Sequence, residues 1–288
     1  MRNWIWLIAL AGCLDTAEAE TSDDVTGPAL LRLMTGDNTV IGADWTAAEG
    51  GAHFAVVKDG APMKPWISSA HAVGAKSIAF AVPTDTSGHK QRVEYKIARA
   101  EDADGLHFDN ARYTGFAFKL GDSPAPFLGT AIFWQAWQGY PWGPPASLKF
   151  AADDTAPYRI RLAIRNPSTG PDSKDRDVEI WSSSMIQPNT WYRFLIYVKP
   201  RVDGTGEIKM WIDGTRVVDW TGAIGYDQSA VPGALAGLDV KAGIYQPSAN
   251  NGHTFYFDQI VFARTYAAAA TALGWQRDVA SWPLDETR

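Results

Sequence analysis

The sequence predicts an all-β fold in which two antiparallel sheets pack face to face as a β-sandwich or β-jelly roll. Three observations predict it. About a dozen short segments alternate apolar and polar residues, or are rich in β-branched and aromatic residues, as strands are. Turns containing Gly, Pro and Asp separate them, and Asp213-Gly214 is typical of a tight hairpin. No repeat of about 40–50 residues recurs, as the blades of a propeller would require.

The predicted strands follow an arm over residues 21–51 that we expect to contribute one strand. They are His53–Val57, Ser77–Val82, Arg92–Ala98, Tyr113–Leu120, Thr130–Trp137, Tyr158–Arg165, Val178–Trp181, Trp191–Lys199, Glu207–Ile212, Arg216–Trp220, Val240–Tyr245 and Thr254–Ala263. Only the alanine-rich segment Tyr266–Leu273 favours a helix. We therefore expect one jelly-roll domain over residues 20–266, followed by a helix or arm over 267–288.

The first 19 residues are typical of an export signal. Arg2 precedes an apolar run, Trp4–Ala11, that is too short to span about 30 Å of hydrocarbon. The ending Leu10-Ala11-Gly12-Cys13 resembles a bacterial lipoprotein signal, which is cleaved before the cysteine and lipidated on its sulfur. Ala17-Glu18-Ala19 offers an ordinary signal-peptidase site as the alternative. Both predict an exported protein, either a periplasmic or outer-membrane lipoprotein anchored through Cys13 or a secreted protein.

The charge balance argues against a nucleic-acid partner. Asp and Glu number 32 against 26 Lys and Arg, giving a net charge of −6 that repels polyanions at long range. A local basic cleft can still bind an acidic ligand, because contacts over a few ångströms depend on nearby groups. The single cysteine, Cys13, allows no intrachain disulfide. We expect a monomer.

Several common chemistries lack their motifs in this sequence. It contains no Cys/His metal set, no Gly-x-Ser-x-Gly nucleophile elbow and no phosphate-binding glycine-rich loop ahead of a helix. The acidic segments 101–104 and 172–177 are interpreted as solvated loops rather than as the paired carboxylates of a glycosidase. We expect no cofactor, and a structural calcium ion stays open without a supporting loop motif.

An aromatic cluster over residues 133–142 suggests sugar binding. Trp137, Tyr140 and Trp142 lie close to Gly139, Pro141 and Gly143, so we expect them on an exposed loop. Aromatic rings offer flat apolar faces to the C–H groups of sugars. The alternative is that they pack beneath the loop. Trp134 has the opposite strand parity to Trp137 and is predicted to lie in the core.

Three separated strands carry polar side chains of one parity each. Arg92, Glu94 and Lys96 share one face, Gln135 belongs to a second strand, and Lys241, Gly243 and Tyr245 share a face of a third. The opposite face of each strand is apolar. Arg159, Arg161 and Arg165 also share a face, which would add positive potential if it lined the same groove and would otherwise be solvent-facing.

These three strands resemble motifs of the jelly-roll polysaccharide lyases, the group of heparin lyase I-like enzymes, glucuronan lyases and alginate lyases. That group carries Arg-x-Glu, Gln-x-His and Lys-Ala-Gly-x-Tyr strands, which appear here as Arg92-x-Glu94, Gln135-x-Trp137 and Lys241-Ala242-Gly243-x-Tyr245. The similarity extends from about Arg92 to Arg264 and departs from the pattern where Trp137 replaces the histidine.

The resemblance implies a β-jelly roll, a concanavalin-like two-sheet sandwich, that cleaves an acidic polysaccharide by β-elimination. Arg92 and Gln135 would stabilise the charge that develops on the uronate carboxylate, while Tyr245 serves as base, acid or both. A neighbouring cation, Lys241 or Arg92, would favour the phenolate form of Tyr245. Lys241 lies about 13 Å along the strand from Tyr245, so it could instead bind a substrate carboxylate. Gly243 would leave the floor of the site open to a sugar ring.

The replacement of the motif histidine by Trp137 has two interpretations. One tyrosine can remove and return the proton only in a syn elimination, which favours glucuronate or mannuronate, unless His53, His107 or His253 enters the site as a separate base. The alternative is a non-catalytic, lectin-like jelly roll that has kept sugar binding. A weaker third option is a structural domain of the cell envelope.

Overall fold

The computed structural model describes residues 29–37, 53–54, 65–88, 90–108, 110–122, 124–139, 142–152, 158–165, 177–184, 186–229, 231–246 and 249–275. The predicted export signal with Cys13, the aromatic residue Tyr140 and the end of the predicted C-terminal arm lie outside these ranges. Within them, no helix is long and apolar enough to cross a membrane.

The described residues form sixteen strands and one short helix. In chain order these are β1 (Leu30–Met34), β2 (His53–Phe54), β3 (Trp66–Ser68), β4 (Ser77–Val82), β5 (Gln91–Ala98), β6 (Leu106–His107), β7 (Arg112–Leu120), β8 (Ala131–Trp137), β9 (Ala146–Phe150), β10 (Ile160–Arg165), β11 (Asp177–Ser183), β12 (Trp191–Lys199), β13 (Gly206–Ile212), β14 (Thr215–Gly222), β15 (Gly237–Gln246), β16 (His253–Ala263) and α1 (Tyr266–Ala272).

The strands make two eight-stranded antiparallel sheets. The first has the order β14-β13-β12-β7-β16-β4-β3, with β1 also paired to β16. The second has the order β11-β10-β9-β8-β15-β5-β2, with β6 also paired to β15. Strands that are distant in sequence are therefore neighbours, as β5, β15 and β8 are. The predicted all-β sandwich is confirmed.

The core lies between the two sheets and is dominated by phenylalanine. Phe116 and Phe118 of β7 face Phe133 of β8, and the rings of Phe118 and Phe133 stack with their centroids 4.7 Å apart. All three side chains are fully or almost fully buried. Truncating a buried phenylalanine to alanine typically costs about 3–5 kcal/mol, so these contacts hold the two sheets in one arrangement.

Helix α1 covers part of the outer face of the first sheet. Ala269 and Leu273 pack with Leu195 and Val261 in a second, smaller apolar cluster. The side chain of Thr265 caps the helix by accepting a hydrogen bond from the backbone N–H of Ala268. The helix therefore lies on the side of the sandwich away from the second sheet.

Most predicted strands are confirmed to within one or two residues of their ends. Three strands were not predicted, namely β3, β6 and β9. The first two have only two or three residues, which is too few to show a period. The third, β9, alternates correctly but is five residues long and follows Gly143-Pro144-Pro145, a sequence typical of a loop.

Candidate active site

Three neighbouring strands of the second sheet present polar side chains on one face, here called the polar face. Their apolar residues, such as Val93, Ala242 and Ala136, are buried in the core. Their polar-face residues are Arg92, Glu94 and Lys96 of β5, Asp239, Lys241, Gly243 and Tyr245 of β15, and Gln135 and Trp137 of β8. The predicted grouping of the three motifs is therefore present in the structure.

A bulge in β8 adjusts this alternation. The register shifts between Ile132 and Trp134, so that Phe133 and Trp134 are both buried in the core while Ile132 and Gln135 keep the polar-face parity. The prediction that Trp134 is a core residue is confirmed, since its side chain is fully buried.

Glu94 lies at the centre of the polar face. The Gln135 Nε2 amide donates a hydrogen bond to Glu94 Oε1, and Arg92 Nε lies 2.9 Å from Glu94 Oε2 in an ion pair. The Glu94 side chain is only 2% exposed, whereas that of Arg92 is 26% exposed. Strand parity predicted Glu94 on this face but indicated no role for it. Its position shows that it orients both predicted carboxylate-binding residues.

The site also contains polar atoms without hydrogen-bond partners. Gln135 Oε1 and Glu94 Oε2 are buried and make no hydrogen bond, although the latter is within ion-pair distance of Arg92. Buried polar atoms are normally satisfied, because an unpaired one costs about 1–3 kcal/mol. A bound ligand or an ordered water would satisfy these atoms.

Gly243 is required by the close approach of β5. Its φ is +143°, and a Cβ atom there would lie 2.3 Å from the carbonyl oxygen of Val93 and 2.6 Å from Glu94 Cα. Gly243 pairs with Glu94, and Lys241 pairs with Gln135, so the Gln135–Glu94 hydrogen bond crosses β15 between these two positions. The close backbone contact accounts for the glycine, where an open floor for the sugar was expected.

Tyr245 is in contact with Arg92. The two residues are paired in register, and the guanidinium carbon of Arg92 lies 4.2 Å from the centroid of the Tyr245 ring. Of the two cations expected beside this tyrosine, Arg92 is the one that touches it. Gln135, Glu94, Arg92 and Tyr245 thus form one continuous series of contacts over three strands.

Lys241 contacts Trp137 and Asp239 and not Tyr245. Its side chain is 1% exposed, and Nζ lies 3.8 Å from the centroid of the Trp137 ring and 3.9 Å from Asp239 Oδ2. Asp239 is bound more closely by Lys96, at 2.7 Å. Burial lowers the pKa of Lys241 to about 8. The Glu94 and Asp239 carboxylates raise this pKa, but only enough to offset part of the effect of burial, and the positive charge of Arg92 lowers it further. The ammonium is therefore poorly solvated and weakly compensated.

The two described aromatic residues of the predicted loop are partly buried. Trp137 donates a hydrogen bond from Nε1 to the backbone oxygen of Trp142, and Trp142 donates one from its own Nε1 to the oxygen of Pro232. Trp137 covers Lys241 on the polar face. The sugar-binding role of these rings stays a prediction, and Tyr140 lies outside the described residues.

Two of the three candidate histidines have structural partners. His253 stacks on Phe127 and bonds to the oxygen of Ala125, and burial lowers its pKa. His107 Nε2 contacts the backbone oxygen of Asp102. His53 belongs to the edge strand β2, where its backbone pairs in register with Glu94. Among the described residues no group of three or more His, Cys, Asp or Glu is placed to hold a metal ion.

The arginines of β10 share the polar face with the motif residues. Arg161 pairs with Lys149, which pairs in turn with Ile132 of β8. The interpretation of residues 172–177 as a solvated loop is wrong for Asp177, which begins β11 and forms ion pairs with Lys149 and Arg165. Nothing in the sequence indicated this contact, because β9 was not predicted.

Comparison with known proteins identifies the family. The polysaccharide lyase family matches residues 67–261, well over half of the chain, and the chain therefore belongs to it. The protein is accordingly a carbon–oxygen lyase acting on polysaccharides, and the resemblance inferred from the three motifs is confirmed. No curated protein matches the sequence.

Two solved structures support the fold. The endo-β-1,4-glucuronan lyase of the fungus Trichoderma reesei is 16% identical, with a TM-score of 0.52 over 71% of this chain and 89% of its own. The alginate lyase Aly36B, solved as a variant in complex with an alginate trisaccharide, is 11% identical, with a TM-score of 0.56 over 81% of this chain and 97% of its own. Both confirm the jelly roll.

Proposed function

We propose that this lyase cleaves an acidic, uronic-acid-containing polysaccharide by β-elimination, with Tyr245 as both base and acid. The observation that carries the proposal is the contact of Arg92 with Tyr245, linked through Glu94 to Gln135. The two similar structures, a glucuronan lyase and an alginate lyase, support a uronate as the substrate.

The uronate carboxylate must be neutralised before its C5 proton becomes acidic enough to remove. Arg92 is partly exposed, and the Gln135 amide has a second N–H beside the one that it donates to Glu94, so both residues can offer N–H groups to one carboxylate. Lys241, buried beneath Trp137 at the position paired with Gln135, adds a positive charge close to these donors. Glu94 keeps Arg92 and Gln135 oriented, so the donors are in place before the substrate binds.

Proton transfer then falls to Tyr245. Its phenolate oxygen takes the C5 proton, the C4=C5 double bond forms, and the C4–O4 bond breaks with its electrons going to O4. The same tyrosine returns the proton to the leaving O4, so that a hydroxyl ends one product and an unsaturated uronate begins the other. Because one residue can do both only from one side of the ring, a syn elimination at glucuronate or mannuronate is proposed.

The alternative is a jelly roll that binds such polysaccharides without cleaving them. It rests on Trp137, which occupies the histidine position of the motif and lies over Lys241. Incubation with glucuronan, alginate and heparin-type chains separates the two functions. A rise in the ultraviolet absorbance of the unsaturated uronate supports the lyase, whereas retained binding without such a rise overturns it in favour of the alternative.

Export of the protein and lipidation of Cys13 are proposed on the sequence alone. Mass spectrometry of the protein from membrane and soluble fractions tests them. A mature chain that begins at a lipid-modified Cys13 supports the lipoprotein, and an unmodified chain cleaved after Ala19 supports secretion.

A further inference from the structure

A row of paired residues runs straight across the polar face, perpendicular to the strands. Arg92 pairs with Tyr245, Tyr245 with Ile132, Ile132 with Lys149, and Lys149 with Arg161. Residues paired in this way project from the same face of a sheet. Neighbouring strands are about 4.8 Å apart, so the Cα atoms of Lys149 and Arg161 lie about 10 and 14 Å from that of Tyr245.

Among the described residues, the far end of this row has more positive than negative side chains. Lys149, Arg159, Arg161 and Arg165 lie beside two described carboxylates, those of Asp177 and Glu179. The protein as a whole has a net charge of −6, so this patch runs against the overall balance. Such a local patch attracts an anionic ligand at contact distance.

Among the described ion pairs of this patch, that of Arg161 is the longest. Its Nη1 lies 3.8 Å from Glu179 Oε2, while Arg159 holds the other oxygen of that carboxylate at 2.6 Å. Arg161 Nε is buried without a hydrogen bond, yet the side chain as a whole is 31% exposed. Lys149, by contrast, is almost fully buried against Asp177. The guanidinium of Arg161 is therefore available to a carboxylate from outside.

We propose that Arg161 forms a distal subsite that binds the carboxylate of a second uronate, about three sugars from the one at Tyr245. The inference rests on the proposed function, because it takes the substrate to be a polyuronate that extends from β15 over β8 and β9 to β10. Each sugar advances an extended chain by about one strand spacing, so three strands correspond to about three sugars. On the other side of β5, the described part of the sheet contains only β2, so the polar face extends further from Tyr245 towards β10 than towards β2.

Arg161→Gln tests the subsite, because glutamine keeps most of the length and removes the charge. Initial rates are measured on uronate oligosaccharides of increasing length and on the polymer. The kcat/KM of tetrasaccharides and longer substrates should fall about tenfold, as for the loss of a charge-assisted hydrogen bond, while that of disaccharides and trisaccharides stays unchanged. Arg161→Lys should retain much of the activity on long substrates.

Arg216→Gln is the matched control. Arg216 is 39% exposed on β14 of the first sheet and lies 3.3 Å from Asp219, so it is a similar surface arginine away from the polar face. Its replacement should leave the kcat/KM of every length unchanged. An equal loss at all lengths for Arg161→Gln, or no loss at any, would overturn the subsite.

A binding measurement separates failure of the subsite from failure of the proposed function. If the wild-type protein cleaves no polyuronate but binds a hexasaccharide more tightly than Arg161→Gln does, the proposed lyase chemistry is wrong and the subsite stands. If it cleaves polyuronates and Arg161→Gln has the same length dependence as the wild type, the subsite is wrong and the chemistry stands.

Discussion

The guanidinium group of Arg92 lies over the ring of Tyr245, 4.2 Å from its centroid, and the two residues are backbone partners on β5 and β15. The same guanidinium is held from below by Glu94. Arg92 therefore links the proposed proton-transfer residue to the carboxylate that fixes Gln135. A substitution of any one of these side chains should therefore alter the positions of the others.

Tyr245→Phe removes one hydroxyl and keeps the ring beneath Arg92. We expect turnover to fall about 10²- to 10⁴-fold, the usual contribution of a positioned acid or base, while the Kd for oligosaccharide changes little. Rates come from the absorbance of the unsaturated product and Kd from calorimetry. Tyr158→Phe, which removes a hydroxyl bonded to the oxygen of Pro124, is the control. Unchanged turnover in Tyr245→Phe would refute the role of this residue.

Glu94→Gln should impair positioning rather than binding. Glutamine offers one acceptor oxygen and no charge, so it cannot hold Arg92 and Gln135 together as the carboxylate does, and a misplacement of about 1 Å is enough to lower kcat about 100-fold. We expect KM to change much less, and Glu94→Asp to recover part of kcat. Steady-state kinetics measures both parameters.

Glu207→Gln is the control for that variant, since Glu207 also faces two cations, Lys199 and Lys209, but on the first sheet. If Glu94→Gln raises KM and leaves kcat intact, Glu94 does not act by positioning the catalytic groups.

Lys241 should make binding of an anionic oligosaccharide dependent on pH. Its pKa is lowered to about 8, so its positive charge is lost, and the Kd rises, as the pH increases through that value. Arg92, Glu94, Lys96 and Asp239 face the same ammonium. Lys241→Arg keeps its charge throughout and should flatten the profile of Kd between about pH 6 and pH 10.

Lys209→Arg on the first sheet is the control, because it makes the same exchange away from the polar face. A profile that keeps its shape in Lys241→Arg would assign the pH dependence to another group.

Gly243→Ala should be more destabilising than the same exchange at another glycine of positive φ. At Gly204, with φ +94° and no atom within 4 Å of the point where a Cβ would lie, alanine should cost about 1–2 kcal/mol from backbone strain alone. At Gly243 the backbone of β5 must also move, which adds about 1–3 kcal/mol. Urea unfolding of both variants measures the difference. An equal loss of unfolding free energy in the two variants would show that the backbone of β5 moves aside without destabilising the fold.

His253 should weaken the fold in acid. Burial lowers its pKa from the ordinary value of 6.5, so below that value the unfolded chain binds the proton more readily than the folded one. The contribution of His253 to the free energy of unfolding should therefore be fully present above pH 6.5 and decline as the pH falls below that value. His253→Gln should remove this part of the decline, whereas the exposed His71→Gln should not. Urea unfolding at a series of pH values provides the test.

Much of the site could be predicted from strand parity. Because side chains alternate along a strand, parity assigned Arg92, Gln135 and Tyr245 to polar faces and Trp134 to the core, and the register of β5, β15 and β8 brings those faces together. The motif resemblance supplied what parity cannot, namely that strands so distant in sequence are neighbours.

The contacts between side chains could not be predicted in the same way. Sequence spacing does not show that Lys241 turns to Trp137 while Arg92 turns to Tyr245, since both choices are compatible with one parity. The role of Glu94 and the Lys149–Asp177 pair depend on which strands are adjacent and in which register. Neither the adjacency of the strands nor their register can be predicted from the local sequence.

The alternation of β15 ties correct folding to the chemistry. If β15 paired one residue out of register, Lys241 and Tyr245 would enter the apolar interior, and Val240, Ala242 and Ile244 would face water. Such a slipped strand would place the Lys241 ammonium among apolar side chains, away from the Glu94 and Asp239 carboxylates, at prohibitive cost. The hydrophobic residues of β15 that stabilise the sandwich therefore also fix the register that places Lys241 and Tyr245 on the polar face. A molecule that has folded correctly has Tyr245 on that face.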